Sequence, residues 1–175
     1  MTPHLRMPYV VTVDAGLRDL RAADHLLRTF AAELGLAEGG FGCTHLVRGE
    51  RPRVVVSLAP ESEAELDEVR AWLVAEGYEV TGGAPDAVGR AVLYRGSGLL
   101  SGTMTVGEVL SVSAIDRVTV LGTAGRTPSD RRLVTHGHVR PQWQGGELVL
   151  TAMPAVGGTL VPFEVAEPTP CCADH

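Results

Sequence analysis

Between residues 8 and 83 the apolar residues switch repeatedly between the two-residue period of a strand and the 3.6-residue period of a helix. No other feature of the chain constrains its fold as tightly. Tyr9–Val13 is β-branched and reads as a strand. Leu20, Ala23, Leu27, Phe30 and Leu34 recur at spacings of three and four, which predicts a helix over Leu17–Leu34. Gly35 closes it, because glycine accepts the left-handed conformation at a helix C-terminus. Phe41–Arg48 and Arg53–Leu58 read as strands on either side of a Gly-Glu-Arg-Pro turn. A second helix follows Pro60, with Glu61, Glu63 and Glu65 in its first turns, where the helix dipole favours acids. Its apolar stripe is Leu66, Val69, Trp72 and Leu73, and Gly77 ends it before a short strand at Tyr78–Thr81.

That order, β-α-β-β-α-β, is the split arrangement of ferredoxin-like folds. Arg90–Arg95 reads as one more strand, and Gly96–Gly102 as a glycine/serine linker. Thr105 and Glu108 match a capping box, so a short helix through Val109 and Val112 is expected. Arg117–Leu121, Leu133–Arg140, Glu147–Met153 and Thr159–Val165 then read as short strands of mixed polarity, separated by glycine turns. The expected fold class is α+β: a ferredoxin-like N-terminal half followed by a small antiparallel β-rich C-terminal half. The expected organisation is an α/β unit at 1–96, a linker at 97–102, and a short helix plus β-meander with a Cys/His tail at 103–175.

Composition narrows the function classes. The net charge of −6 opposes non-specific attraction to nucleic acid or to an anionic membrane. No apolar run approaches the ~20 residues needed to span a bilayer. Met1–Tyr9 lacks the basic and apolar regions of a secretory signal, so a cytoplasmic location is expected. All 15 basic residues are Arg, and there is neither Lys nor Asn. Schiff-base catalysis, a Walker-type phosphate loop, N-glycosylation and a catalytic Asn are thereby excluded. The 3 cysteines, Cys43 and the adjacent Cys171 and Cys172, form an odd set that argues against a disulfide framework.

The chemistry-bearing residues concentrate late in the chain. His136-Gly137-His138 falls in a predicted strand, where residues two apart share a face and two imidazoles can meet one ion. Cys171, Cys172 and His175 add thiolates and a third imidazole, a donor set that favours zinc or copper(I) over hard cations, with iron also open. The same residues fit a blander description, a polar pair on a strand and a free tail. The adjacent thiols also lack the two-residue spacing of a CxxC motif. His136-x-His138 followed by Gln142 partly resembles the first metal motif of cupins. Gln142 stands where that motif has an acid, and its second motif has no counterpart after Gly146, so the chain is not assigned to that family.

The chain holds other constellations. Ser111 or Ser113 with His136 and Asp116 composes a Ser/His/Asp set on paper, without a Gly-x-Ser-x-Gly elbow. Cys43 and His45 share a face of a predicted strand, as nucleophile and base or as buried residues. Gly122–Gly125 with Arg126, Arg131 and Arg132 reads as a solvated hairpin tip, since no helix follows to hold a phosphate. Trp143 reads as a contact surface or as the cap of a β-core. Three functions follow. The first is a metal-binding protein using His136, His138, Cys171, Cys172 and His175. The second is a non-enzymatic ligand-binding or regulatory module that forms a homo-oligomer or meets a partner protein through its sheet. The third is a metal-free small-molecule enzyme.

Overall fold

A computed structural model describes residues 7–36 and 38–167. The first strand, β1, runs past its β-branched stretch to cover Val11–Leu17. Gly16, at φ 67°, donates its N–H to Asp14 Oδ1 at 3.0 Å, and the register against the neighbouring strand shifts between Val13 and Leu17. The first helix, α1, therefore begins later than its apolar period suggests and spans Leu20–Leu34. Asp19 caps it by accepting from Ala22 N, and Gly35 closes it in the left-handed conformation. Strands β2 (Phe41–Val47) and β3 (Arg53–Ala59) follow, then helix α2 (Glu63–Ala75) and strand β4 (Glu79–Gly82). The cap of α2 is Ser62, whose side chain accepts from Glu65 N.

These strands lie in the order β4-β1-β3-β2, and each neighbouring pair is antiparallel. Alternation along β3 sends Val54, Val56 and Leu58 to one face, where they bury with Val11, Val13, Ala23, Leu27, Phe30, Val69 and Leu73. Both helices thus cover one face of the sheet. Burying Leu27 and Phe30 contributes roughly 1.5–3 kcal/mol each, and Phe30 also meets Trp72 and Tyr78 edge to face.

The sheet does not stop there. β5 (Arg90–Leu93) pairs with β2 and continues to β9 (Gln142–Gln144), β10 (Glu147–Pro154), β11 (Leu160–Pro162), β8 (Arg132–Val134) and β6 (Thr103–Thr105). β7 (Arg117–Val120) pairs with β10 off this path. Leu93 to Gly102 is bridged by a single-turn helix at Ser97–Leu99, and Leu100 is buried. Helix α3 (Val106–Val112) carries the full reciprocal capping box between Thr105 and Glu108. The chain is thus a mixed α+β protein with, among the described residues, 3 α-helices and one 11-stranded sheet.

Pairing in the second half departs from a purely antiparallel meander. β9–β10, β10–β11 and β6–β8 are antiparallel, but β7–β10 and β8–β11 are parallel. Long connections permit such parallel crossovers, and short strands of mixed polarity do not announce their partners. The predicted strand over 133–140 is also cut short, because Val134 is its last ladder residue. A second buried cluster gathers here around Leu133, Trp143, Leu148, Leu150 and Leu160, and takes in Phe41, Cys43 and Ala91 from the first strands.

Candidate functional site

The residues after β8 explain why the strand ends. His136 and Gly137 both take positive φ, 53° and 65°, and His138 N donates to Thr135 O at 3.2 Å. Two successive positive-φ residues make the tight turn that mirrors the common type I form, a geometry only glycine adopts freely. His136 is the one non-glycine residue described with positive φ. A strained residue persists only where its surroundings hold it, and such residues cluster at functional sites. The strand alternation that put both imidazoles on one face therefore does not operate; they flank a turn instead.

That turn lines a cavity of about 880 Å³. Leu20, Asp24 and Arg28, one turn apart along α1, form one wall, and Phe163–Glu167, just past β11, form another. At its base is a buried cluster of charges. Arg90, on β5, donates from Nη1 to Asp24 Oδ1 at 2.6 Å and from Nη2 to Asp24 Oδ2 at 3.2 Å. It also donates from Nε to Glu164 Oε2 at 2.8 Å and from Nη2 to Glu164 Oε1 at 2.5 Å. Thr44 Oγ1 accepts a further bond from Nη1. Arg140 donates from Nε to Asp24 Oδ2 at 3.0 Å and from Nη1 to Val139 O at 3.2 Å. Arg140 Nη2 is buried and has no acceptor among the described residues.

Burial by itself would raise the Asp24 carboxyl, but Arg90 and Arg140 more than offset it and hold the group below its ordinary value. Glu164 follows the same logic: burial raises it, and Arg90 with His138 bring it below the usual range. Burial opposes the charge of Arg90, yet its two carboxylate partners raise it further. Both carboxylates are thus ionised at neutral pH, and an ionised carboxylate only accepts. His138 Nε2 lies 2.9 Å from Glu164 Oε1, so Nε2 carries the hydrogen. In the neutral ring the lone pair then sits on Nδ1.

The structure brings His136 and His138 to one cavity wall. Cys171, Cys172 and His175 lie outside the described residues. No group of three His, Cys, Asp or Glu able to hold a metal occurs among the described residues. Sequence reasoning missed Asp24, Arg90, Arg140 and Glu164. The only signal was an acid on the buried stripe of α1, where Asp24 follows Ala23, and an arginine opening an apolar strand.

The other candidates separate clearly. Cys43 and His45 do share a buried face of β2, but burial pushes the Cys43 thiol up to about 12, which removes the thiolate a nucleophile needs. His45 is bracketed instead by Ser57 Oγ at 2.8 Å from Nε2 and Asp86 Oδ1 at 2.9 Å from Nδ1. Ser113 donates to Val109 O, and Asp116 Oδ2 accepts from Leu148 N, so both hold backbone in place. Trp143 is 4% exposed and packs edge-on against Phe41 with centroids 5.2 Å apart, as the cap of a core and not as a contact surface. Gly122–Arg126 is an exposed loop. No helix among the described residues is long and apolar enough to cross a membrane. Comparison with known proteins finds no family model, no curated protein and no solved structure that matches this chain.

Proposed function

We propose that this is a metal-binding protein whose site is completed when the C-terminal Cys171, Cys172 and His175 meet His136 and His138 at the wall of the cavity. One observation carries the reading. The segment Phe163–Glu167, from which the tail continues, lines the same cavity as the histidine turn although Phe163 lies 25 positions after His138. Cys171 is four residues beyond Glu167, a span on the order of 14 Å when extended, so the covalent chain allows its thiolate to reach the turn. Two features of the turn support the same reading. His138 presents Nδ1 while Glu164 fixes its ring through Nε2, the carboxylate–histidine pairing that orients metal-ligating imidazoles. His136 is exposed at the cavity, on a backbone held at positive φ. Thiolate and imidazole together suit zinc first, with copper(I) and iron as alternatives.

The scaffold belongs to the same proposal. The βαββαβ order, the antiparallel pairs β4-β1-β3-β2 and two helices on one face support a ferredoxin-like unit over 1–96. The residues from 103 onward add the second core and the histidine turn.

Elemental analysis of protein purified without an affinity tag tests the reading. One equivalent of zinc, copper or iron per chain is expected, and it should fall to background in Cys171→Ser/Cys172→Ser and drop by at least half in His136→Ala. No stoichiometric metal in the wild-type protein, or full occupancy in the double cysteine variant, overturns it.

A further inference from the structure

The cavity beside the histidine turn has a charge pattern of its own, apart from any metal. Four arginines line it, Arg21, Arg28, Arg90 and Arg140, against four carboxylates, Asp19, Asp24, Glu164 and Glu167. The totals balance, but the engagements do not. Asp19 is committed to the backbone at the start of α1. Asp24 and Glu164 are taken up by Arg90, Arg140 and His138. Glu167 faces Arg21 at 3.7 Å on the exposed rim. One cationic group and one guanidinium donor are left over. Arg28, exposed on the α1 wall, makes no ion pair among the described residues. Arg140, with a side chain only 6% exposed, keeps Nη2 without an acceptor. An unpaired donor in a buried guanidinium is costly, about 1–3 kcal/mol or more for a charged group, and is uncommon in a settled core.

We infer that this cavity binds a small organic anion, a carboxylate or phosphate group, which accepts from Arg140 and pairs with Arg28. A guanidinium gives such groups short, charge-assisted hydrogen bonds. Asp24 and Glu164 give the site its selectivity. They hold the Arg90 and Arg140 guanidiniums in a fixed plane, so the anion meets a preorganised donor and not a flexible chain. The volume, about 880 Å³, lies within the range of small-molecule sites and exceeds what an inorganic anion needs, so the bound group is one end of a larger molecule. The binding does not require the metal. Where both are present, the anion and the ion share one cavity, which places an anionic ligand beside the proposed metal centre.

The test is calorimetric titration of the full chain, treated with chelator, with inorganic phosphate and separately with citrate. The expected result is one bound anion per chain for at least one probe, and the stronger of the two separates a phosphate site from a carboxylate site. Removal of one charge-assisted contact, in Arg28→Gln, should weaken binding about tenfold. Arg140→Lys keeps a positive charge beside Asp24 but deletes Nη2, and should weaken binding by at least as much. Arg126→Gln, in the exposed loop beyond β7, should leave it unchanged. Absence of heat from both probes at millimolar concentration, or equal affinity in wild type and Arg28→Gln, overturns the inference. Because chelated protein is used, a failure here leaves the metal proposal standing, and a metal-free wild type leaves this one standing.

Discussion

The molecule holds two polar clusters of similar chemistry, each buried at its centre, and they differ in two respects. His45, Ser57 and Asp86 compose an acid–imidazole–hydroxyl chain with spacings of 2.8 and 2.9 Å. The imidazole and hydroxyl residues are 4% and 3% exposed, and Gly89 closes over the His45 ring so tightly that a Cβ there would lie 3.1 Å from Cε1. The second cluster, Asp24, Arg90, Arg140, Glu164 and His138, is as deeply buried at its centre but opens onto a cavity. It also keeps an unpaired donor, whereas both ring nitrogens of His45 have partners. The first cluster looks like a catalytic triad by residue type, but its imidazole and hydroxyl are sealed and hydrogen-bonded between β2, β3 and the loop before β5. Residue identity does not distinguish a site from a brace; access and unsatisfied capacity do.

The largest effect that tests this contrast comes from Asp24. Asp24→Ala removes the carboxylate shared by two buried guanidiniums, and breaking a buried pair in this way costs about 3–5 kcal/mol. Urea denaturation should show that loss, and a change under ~1 kcal/mol would mean that the cluster is not the clamp between α1, β5 and the loop after β8.

Acid should act on the same cluster more gradually. Asp24 and Glu164 have folded pKa values below their unfolded ones. Their stabilisation is therefore complete above the unfolded values and is lost as pH falls through the folded values. Wild-type stability should decline as pH falls through about 4.5, where Glu164 is half-titrated in the unfolded chain. Asp24→Ala should show a shallower decline over the same range, and an identical slope would refute the assignment.

The closed cluster predicts a smaller and purely structural response. Ser57→Ala leaves His45 Nε2 buried without its partner and should cost about 1–3 kcal/mol in thermal or urea unfolding. Metal content and anion affinity should stay at wild-type levels; a loss of either would move the functional site to this face of the sheet. Smallest of all is the reactivity of Cys43. In Cys171→Ser/Cys172→Ser, whose one remaining cysteine is Cys43, a thiol reagent at pH 8 should label the folded protein no faster than it unfolds, because burial holds the thiol up at about 12. Rapid labelling would show the brace to be open.

Much of the first half was legible because its signals are local. The apolar spacing of α1, the left-handed Gly35, the acids at the start of α2 and the Thr105–Glu108 capping box each depend on a few neighbouring residues. The start of α1 is not legible in the same way, because Asp14 and Gly16 prolong β1 through a local turn that apolar period does not register. The site was legible only in part. His136 and His138 stand out as a pair in the sequence, but the turn that positions them rests on a histidine with positive φ, which no periodicity reveals. Asp24, Arg90, Arg140 and Glu164 are far apart along the chain, and each alone resembles a surface charge. Their meeting depends on β5 joining β2 to β9 and so bringing the two halves edge to edge. Strand partnership of that kind is long-range, and short mixed-polarity strands carry little of it.

The absorption spectrum of the full chain loaded with one equivalent of cobalt(II) bears most directly on the central claim, that thiolates of the C-terminal tail and the imidazoles of the turn share one ion at this cavity. A thiolate-to-cobalt charge-transfer band with intense tetrahedral d–d absorption is expected in the wild type. The band should vanish in Cys171→Ser/Cys172→Ser, and the d–d region should shift and weaken in His136→Ala. A wild-type spectrum without a thiolate band, or one that His136→Ala leaves unchanged, would contradict it.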